Sequence, residues 1–122
     1  MKTSELMIGD WVKFNNSDLA HKVIAIAGKS IKVDKVHWYS ANKFRPIPLT
    51  PEILKKNGLN LIRGGTNCFD EDRCYRVELT LGTDDTTRWT INFNEYDILP
   101  LSYIHQLQHV LRLCGIEKEI VL

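Results

Sequence analysis

Apolar and polar residues alternate with a period of two through the N-terminal half of the chain, the pattern of short strands with one buried and one wet face. After the turn Ile8-Gly9-Asp10, Val12 and Phe14 share one face while Trp11 and Lys13 share the other. Residues 15–18 are polar and read as a turn. Residues 21–27 read as a second strand, with Ile24 and Ile26 opposite Val23 and Ala25, and Gly28-Lys29 reads as a tight hairpin. Residues 31–39 read as a third strand, or a strand with a bulge, because Val33 and Val36 break strict alternation. This rhythm suits a small antiparallel sheet or SH3-like N-terminal strands. Strands this short need the rest of the chain to pack on.

The pattern then changes. Pro46 and Pro48 keep residues 44–49 extended. Thr50 is an N-cap, Pro51 takes the first helical position, Glu52 suits the helix N-terminus, and Asn57-Gly58 stops a short helix. Residues 59–62 begin another strand ending at Gly64-Gly65. The cleanest hairpin follows. Tyr75, Val77, Leu79 and Leu81 face one way, Trp89, Ile91 and Phe93 match them on the return strand, and residues 82–87 connect the two. Pro100 closes a linker, and a helix near residues 103–113 carries Ile104, Leu107, Val110, Leu111 and Cys114 on its apolar stripe. His105, Gln108, His109 and Arg112 fall on its polar flank, Gly115 stops it, and the apolar tail 116–122 is expected to dock on this chain or a neighbour. The fold class is therefore α+β: short N-terminal strands, a central short helix, a β-hairpin and a C-terminal helix.

The chain has 122 residues, room for one hydrophobic core, so residues 1–122 read as a single domain with subregions 1–49 and 50–122. The net charge of +1 hides an asymmetry: residues 1–60 hold ten Lys or Arg and five Asp or Glu, residues 61–122 six and ten. The basic first half could attract nucleic acid, or pair with the acidic second half within the chain or across a homodimer. The start of the chain lacks the apolar run of an export signal and no stretch matches a membrane helix, which points to the cytoplasm and away from a membrane partner. Three cysteines, Cys68, Cys74 and Cys114, do not form a secreted disulfide framework.

Three stretches, SELMIGDWV, PIPLTPEILKKNGL and YIHQLQHVLRL, bracket most of the chain. On these the chain resembles a family of short, functionally unassigned proteins of Bacteroides-type bacteria and their prophages. It departs from that pattern at Arg45, where relatives often carry an acidic residue, and at Leu59, where they often carry Phe. The resemblance implies a phage or mobile-element setting and no particular reaction.

Candidate chemistry is sparse. There is no glycine-rich phosphate loop, nucleophile elbow or H-E-x-x-H pair, so no catalytic residue, cofactor or metal site is assigned. His105 and His109, four apart on a helix, could share a metal, but a structural site needs two further ligands. Solvent-facing or rim positions suit both better. Asp70-Glu71-Asp72 and Asp84-Asp85 read as solvated loops, and a Cys74–His37 pairing would need tertiary coincidence. The most informative surface candidates are Trp11, His37, Trp38 and Tyr39 with Lys13, Lys35 and Arg45. Together they would make a stacking platform for nucleic acid, an anchor for a protein, or part of a core. The expected function is a non-catalytic accessory or adaptor protein acting through a protein partner or self-association, with nucleic-acid binding through the first half as the alternative.

Overall fold

The chain changes sheet partners at Val23, within a run that alternates regularly. In a computed structural model, which describes residues 1–58, 67–70, 73–81, 87–93, 97–113 and 115–122, the expected strand 21–27 is one extended run with two sets of partners. Its first part, β2 (Ala20–Lys22), pairs antiparallel with β1 (Trp11–Phe14). Val23 continues along the first sheet, accepting from the Gly9 N–H at 2.7 Å and donating to the Asp10 carbonyl at 2.9 Å. Ile24 then donates to the Lys32 carbonyl at 2.8 Å, and β3 (Ala25–Ala27) pairs with β4 (Ser30–Lys32) across the Gly28-Lys29 hairpin. Gly28 sits at φ +57°, a backbone conformation that its missing Cβ makes cheap.

The expected third strand, 31–39, is likewise interrupted. Asp34 Oδ1 accepts from the Val36 and His37 N–H groups, both at 2.9 Å, and turns the chain before β5 (Tyr39–Ser40) rejoins β4. These N–H groups, His37 first and Val36 second, hold the Asp34 carboxyl below its usual range. The extended proline segment supplies β6 (Phe44–Pro46), which pairs with β1 and completes a first sheet of order β2-β1-β6 beside a second of order β3-β4-β5. Val12, Val23, Ile31, Ala41, Phe44 and Leu6 form the shared core. Phe14 packs on Phe44 at 4.3 Å between ring centroids and meets Tyr39 edge-on at 5.1 Å.

Thr50 Oγ1 accepts from the Ile53 N–H at 3.3 Å and caps α1 (Pro51–Lys56), whose Leu54 is fully buried. A four-stranded sheet of order β10-β9-β8-β7 follows, described by its backbone. In it β8 (Arg73–Leu81) and β9 (Thr87–Phe93) form the expected hairpin, with Tyr75 opposite Phe93, Val77 opposite Ile91 and Leu79 opposite Trp89. Two strands go beyond the patterning: β7 (Asn67–Asp70), whose Asp70 belongs to the acidic run expected to be a solvated loop, and β10 (Asp97–Leu101), where Pro100 suggests a linker. Among the described residues β10 pairs with β9 alone and so lies at a sheet edge, where Pro100 is tolerated. The expected strand 59–62, the Gly64-Gly65 turn, Glu71, Asp72, the loop 82–86 and Cys114 lie outside the described residues, as do the side chains proposed to bury the hairpin face.

The helix α2 (Ile104–Leu113) begins where the Gln106 side chain accepts from the Tyr103 N–H at 3.1 Å. It ends in a Schellman pattern: the Gly115 N–H donates to the Arg112 carbonyl at 3.0 Å and the Ile116 N–H to the Leu111 carbonyl at 2.8 Å. The tail docks on its own chain. Ile116 and Ile120 are buried, and the Asn57 amide pairs with both the N–H (2.7 Å) and the C=O (2.8 Å) of Val121. The chain gathers into two units, Met1–Pro48 with Tyr103–His109, and Leu49–Ser102 with Val110–Leu122. The class is α+β with antiparallel sheets, as the patterning implies.

Candidate functional site

In the first unit a carboxylate is fully enclosed. Asp10 has no exposed surface; its Oδ2 accepts from the Met7 N–H at 2.7 Å and from Nε2 of His109 at 2.5 Å. A carboxylate on Nε2 holds the proton of a neutral ring there and leaves the lone pair on Nδ1. Gln108, one residue before His109, is also buried: its Oε1 accepts from the Trp11 N–H at 3.1 Å and its Nε2 donates to the Gly9 carbonyl at 3.0 Å. Together the two side chains clamp the turn that enters β1.

His105 differs from expectation. It is 5% exposed, not on a polar rim, because the buried arc of α2 is wide enough to take in Ile104, His105, Leu107, Gln108 and Leu111. Its ring stacks on Tyr103 at 5.8 Å and meets His109 edge-on at 5.6 Å. Its Nδ1 is buried without a hydrogen-bond partner, and burial pulls its pKa down, outweighing the opposing pull of the Asp10 charge. Glu5, Pro46, Tyr103, His105, Gln106 and His109 line a cleft of about 530 Å³. No serine or cysteine lines it, and among the described residues no three of His, Cys, Asp and Glu are placed to hold a metal.

The surface candidates separate into two places. Directly opposed residues in an antiparallel pair share a face, so the pairs Trp11–Lys22 and Lys13–Arg45 put Trp11, Lys13, Lys22 and Arg45 together on the outer face of the first sheet. The Lys22 ammonium lies 5.0 Å from the Trp11 ring centroid. Arg45 closes the neighbouring turn, donating to the Ser17 carbonyl and to Asp18 Oδ1, both at 2.9 Å. Just before β5, Trp38, 48% exposed, carries Lys32 over its ring at 5.1 Å, and Lys35 and His37 are exposed beside it in sequence. Tyr39 is half-buried at the edge of the core, packing on Phe14 and Phe44 while lining a cleft with Phe14, Asn15, Asn16 and Lys43. The aromatic residues therefore serve two patches and a core. Cys68 stands opposite Cys74 in the β7–β8 register.

No family model, curated protein or solved structure matches this chain. Among the described residues no helix is long and apolar enough to cross a membrane.

Asp10 and Gln108 were not singled out by the sequence. The signal available was the acid between Gly9 and Trp11 at the start of a strand, which serves as a turn acceptor here. Nothing local pairs Asp10 with a histidine ninety-nine positions on.

Proposed function

We propose that the chain is a non-catalytic accessory or adaptor protein that acts by contact with another protein or a second copy of itself, through an exposed apolar surface of the first unit. The observation that supports this is the exposure of large apolar side chains on backbone segments that are hydrogen-bonded neighbours. Ile8 is 64% exposed and Met7 and Ile24 are exposed with it. The Gly9–Val23 hydrogen bond sets the 7–9 turn beside Ile24, the Ile24–Lys32 bond leads on to Lys32, and Lys32 covers the exposed Trp38. Apolar side chains grouped in this way are more typical of contact surfaces than of a wholly solvated face. The resemblance adds a phage or mobile-element setting to the proposal. The test combines sedimentation velocity with quantitative capture from host cells, using the intact chain and an I8D/W38A variant. Self-association or a captured protein that is lost in the variant supports the reading; identical behaviour of the two proteins removes it.

A second reading, nucleic-acid binding, is favoured by the gathering of Lys13, Lys22 and Arg45 around Trp11 on one sheet face. Such binding weakens steeply with salt. No binding of short duplex or single strands at low salt would exclude it.

A further inference from the structure

We propose that the cleft between residues 14–16 and residues 39–43 is a nucleotide site, with the base in the corner of the Phe14 and Tyr39 rings, its polar edge on Asn15 and Asn16, and its phosphate on Lys43. The cleft is lined by those five residues and holds about 580 Å³, inside the ~300–1,000 Å³ range of small-molecule sites. Phe14 and Tyr39 meet at 81°, so a planar ring that stacks on one meets the other edge-on. Both rings are fixed. Phe14 packs on Phe44, and the Tyr39 hydroxyl donates to Asp34 Oδ2 at 3.3 Å.

The polar wall is also set in place. The Asn15 N–H donates to the Lys43 carbonyl at 2.9 Å, and its side-chain Nδ2 donates to the Asn42 carbonyl at 3.0 Å. This leaves the Asn15 Oδ1 to accept from a base. Asn16 and Lys43 are exposed. The carboxylate that touches Tyr39, that of Asp34, is already taken up by two backbone N–H groups and the tyrosine hydroxyl. An aromatic corner, two amides and a cation suit a flat, hydrogen-bonding, anionic ligand, and the excess of basic residues in the first half agrees in sign. The same chemistry comes from a free nucleotide or from one nucleotide of a single strand. The inference stands apart from the protein-contact reading and gives the nucleic-acid reading a specific pocket.

The test is an amide NMR titration of the full chain with adenosine and uridine monophosphates and with their nucleosides, alongside anisotropy of labelled short oligoadenylate and oligouridylate. The expected result is shifts at Asn15, Asn16 and Lys43, with affinity about tenfold weaker in K43E and about threefold weaker in N16A. Both residues are exposed, so unchanged thermal melts verify that the variants fold. Shifts with mononucleotides identify a free-nucleotide site, and shifts with oligonucleotides alone identify a strand site; either supports the proposal. Oligonucleotide binding that survives K43E but is lost in K13E/K22E overturns the pocket while leaving the nucleic-acid reading intact. Nucleosides binding as tightly as nucleotides, or no shift at these amides with any probe, also overturns it.

Discussion

Asp10 and His109, ninety-nine positions apart, form a carboxylate–imidazole pair in which the carboxylate is fully buried. The pair holds the first turns of α2 to the loop that opens β1, and Gln108 reinforces it through the Gly9 carbonyl and the Trp11 N–H. Removing one partner of such a pair leaves a polar group stranded in the interior. D10A removes the enclosed carboxylate, strands the Met7 N–H and leaves a partly exposed imidazole, and should destabilise the protein by about 1–3 kcal/mol. D10N should cost less, because its amide oxygen can still accept from the Met7 N–H. H109A leaves the enclosed Asp10 carboxylate without its imidazole and should cost more than D10A, about 3–5 kcal/mol. Urea unfolding of the three variants checks the order; a D10A variant as stable as the parent would show that the pair contributes nothing.

His105 gives a pH dependence of definite sign. Burial lowers its pKa in the folded protein, so the unfolded chain binds a proton more readily than the folded one. Its contribution to stability is complete above the ordinary histidine pKa of about 6.5 and is lost as pH falls through the lowered folded value. The H105Q variant should flatten the acid side of the stability profile relative to the parent. The check is the midpoint of urea unfolding measured at a series of pH values from neutral to mildly acidic. An unchanged slope in H105Q would assign the acid sensitivity to other groups.

The Asn57 side chain acts as a strand partner for the C-terminal tail, beside the buried Ile116 and Ile120 and a Lys56 ammonium that donates to the Leu122 carbonyl at 2.6 Å. The Asn57 amide accepts from the Val121 N–H and donates to its carbonyl, while a third bond, also donated by Nδ2, reaches the Ile53 carbonyl at 2.7 Å. N57A strands the two tail groups and should cost about 1–3 kcal/mol. N57D keeps the acceptor, loses the donor and should fall between. Hydrogen exchange at Val121 provides a local readout: protection should drop in N57A more than at Ile31, which lies in the first core.

The legibility of this fold follows the range over which each element is specified. The β8–β9 register is written in Tyr75, Val77, Leu79, Trp89, Ile91 and Phe93, because a hairpin's partners are near in sequence and each strand carries its own alternation. The α1 cap is local to Thr50 and Pro51 and is equally readable. β7 and β10 were missed because their pairing, not their composition, makes them strands, and Pro100 argues against a strand until its edge position is known. The change of sheet at Val23 was invisible because both halves of the run alternate correctly; only their partners, Asp10 and Lys32, differ. Of the residues grouped around Trp11, Lys13 and Arg45 share its sheet face because they are direct cross-strand partners, whereas Trp38 lies by Lys32 and Tyr39 packs on Phe14 and Phe44, pairings set by contacts distant in sequence. His105 was misplaced because helical periodicity assigns a face and not the width of what covers it.

The β3–β4 hairpin offers a test of turn chemistry free of packing. Gly28 has φ +57°, and a Cβ built there would meet nothing within 4 Å. The cost of a side chain is then the left-handed backbone alone, about 1–2 kcal/mol for alanine. Asparagine, which tolerates that conformation by bonding its own backbone, should cost less. G28A and G28N should thus rank below the parent in that order of loss, alanine greater, by thermal or urea unfolding. The Thr3 hydroxyl donates to the Gly28 carbonyl at 2.8 Å, so the loss in G28A should be accompanied by faster exchange at Ser30 and Ile31 if the hairpin frays as a unit. Equal stability of all three proteins would mean that the turn adopts another conformation in solution, and with it that the register Ala27–Ser30 is not fixed by Gly28.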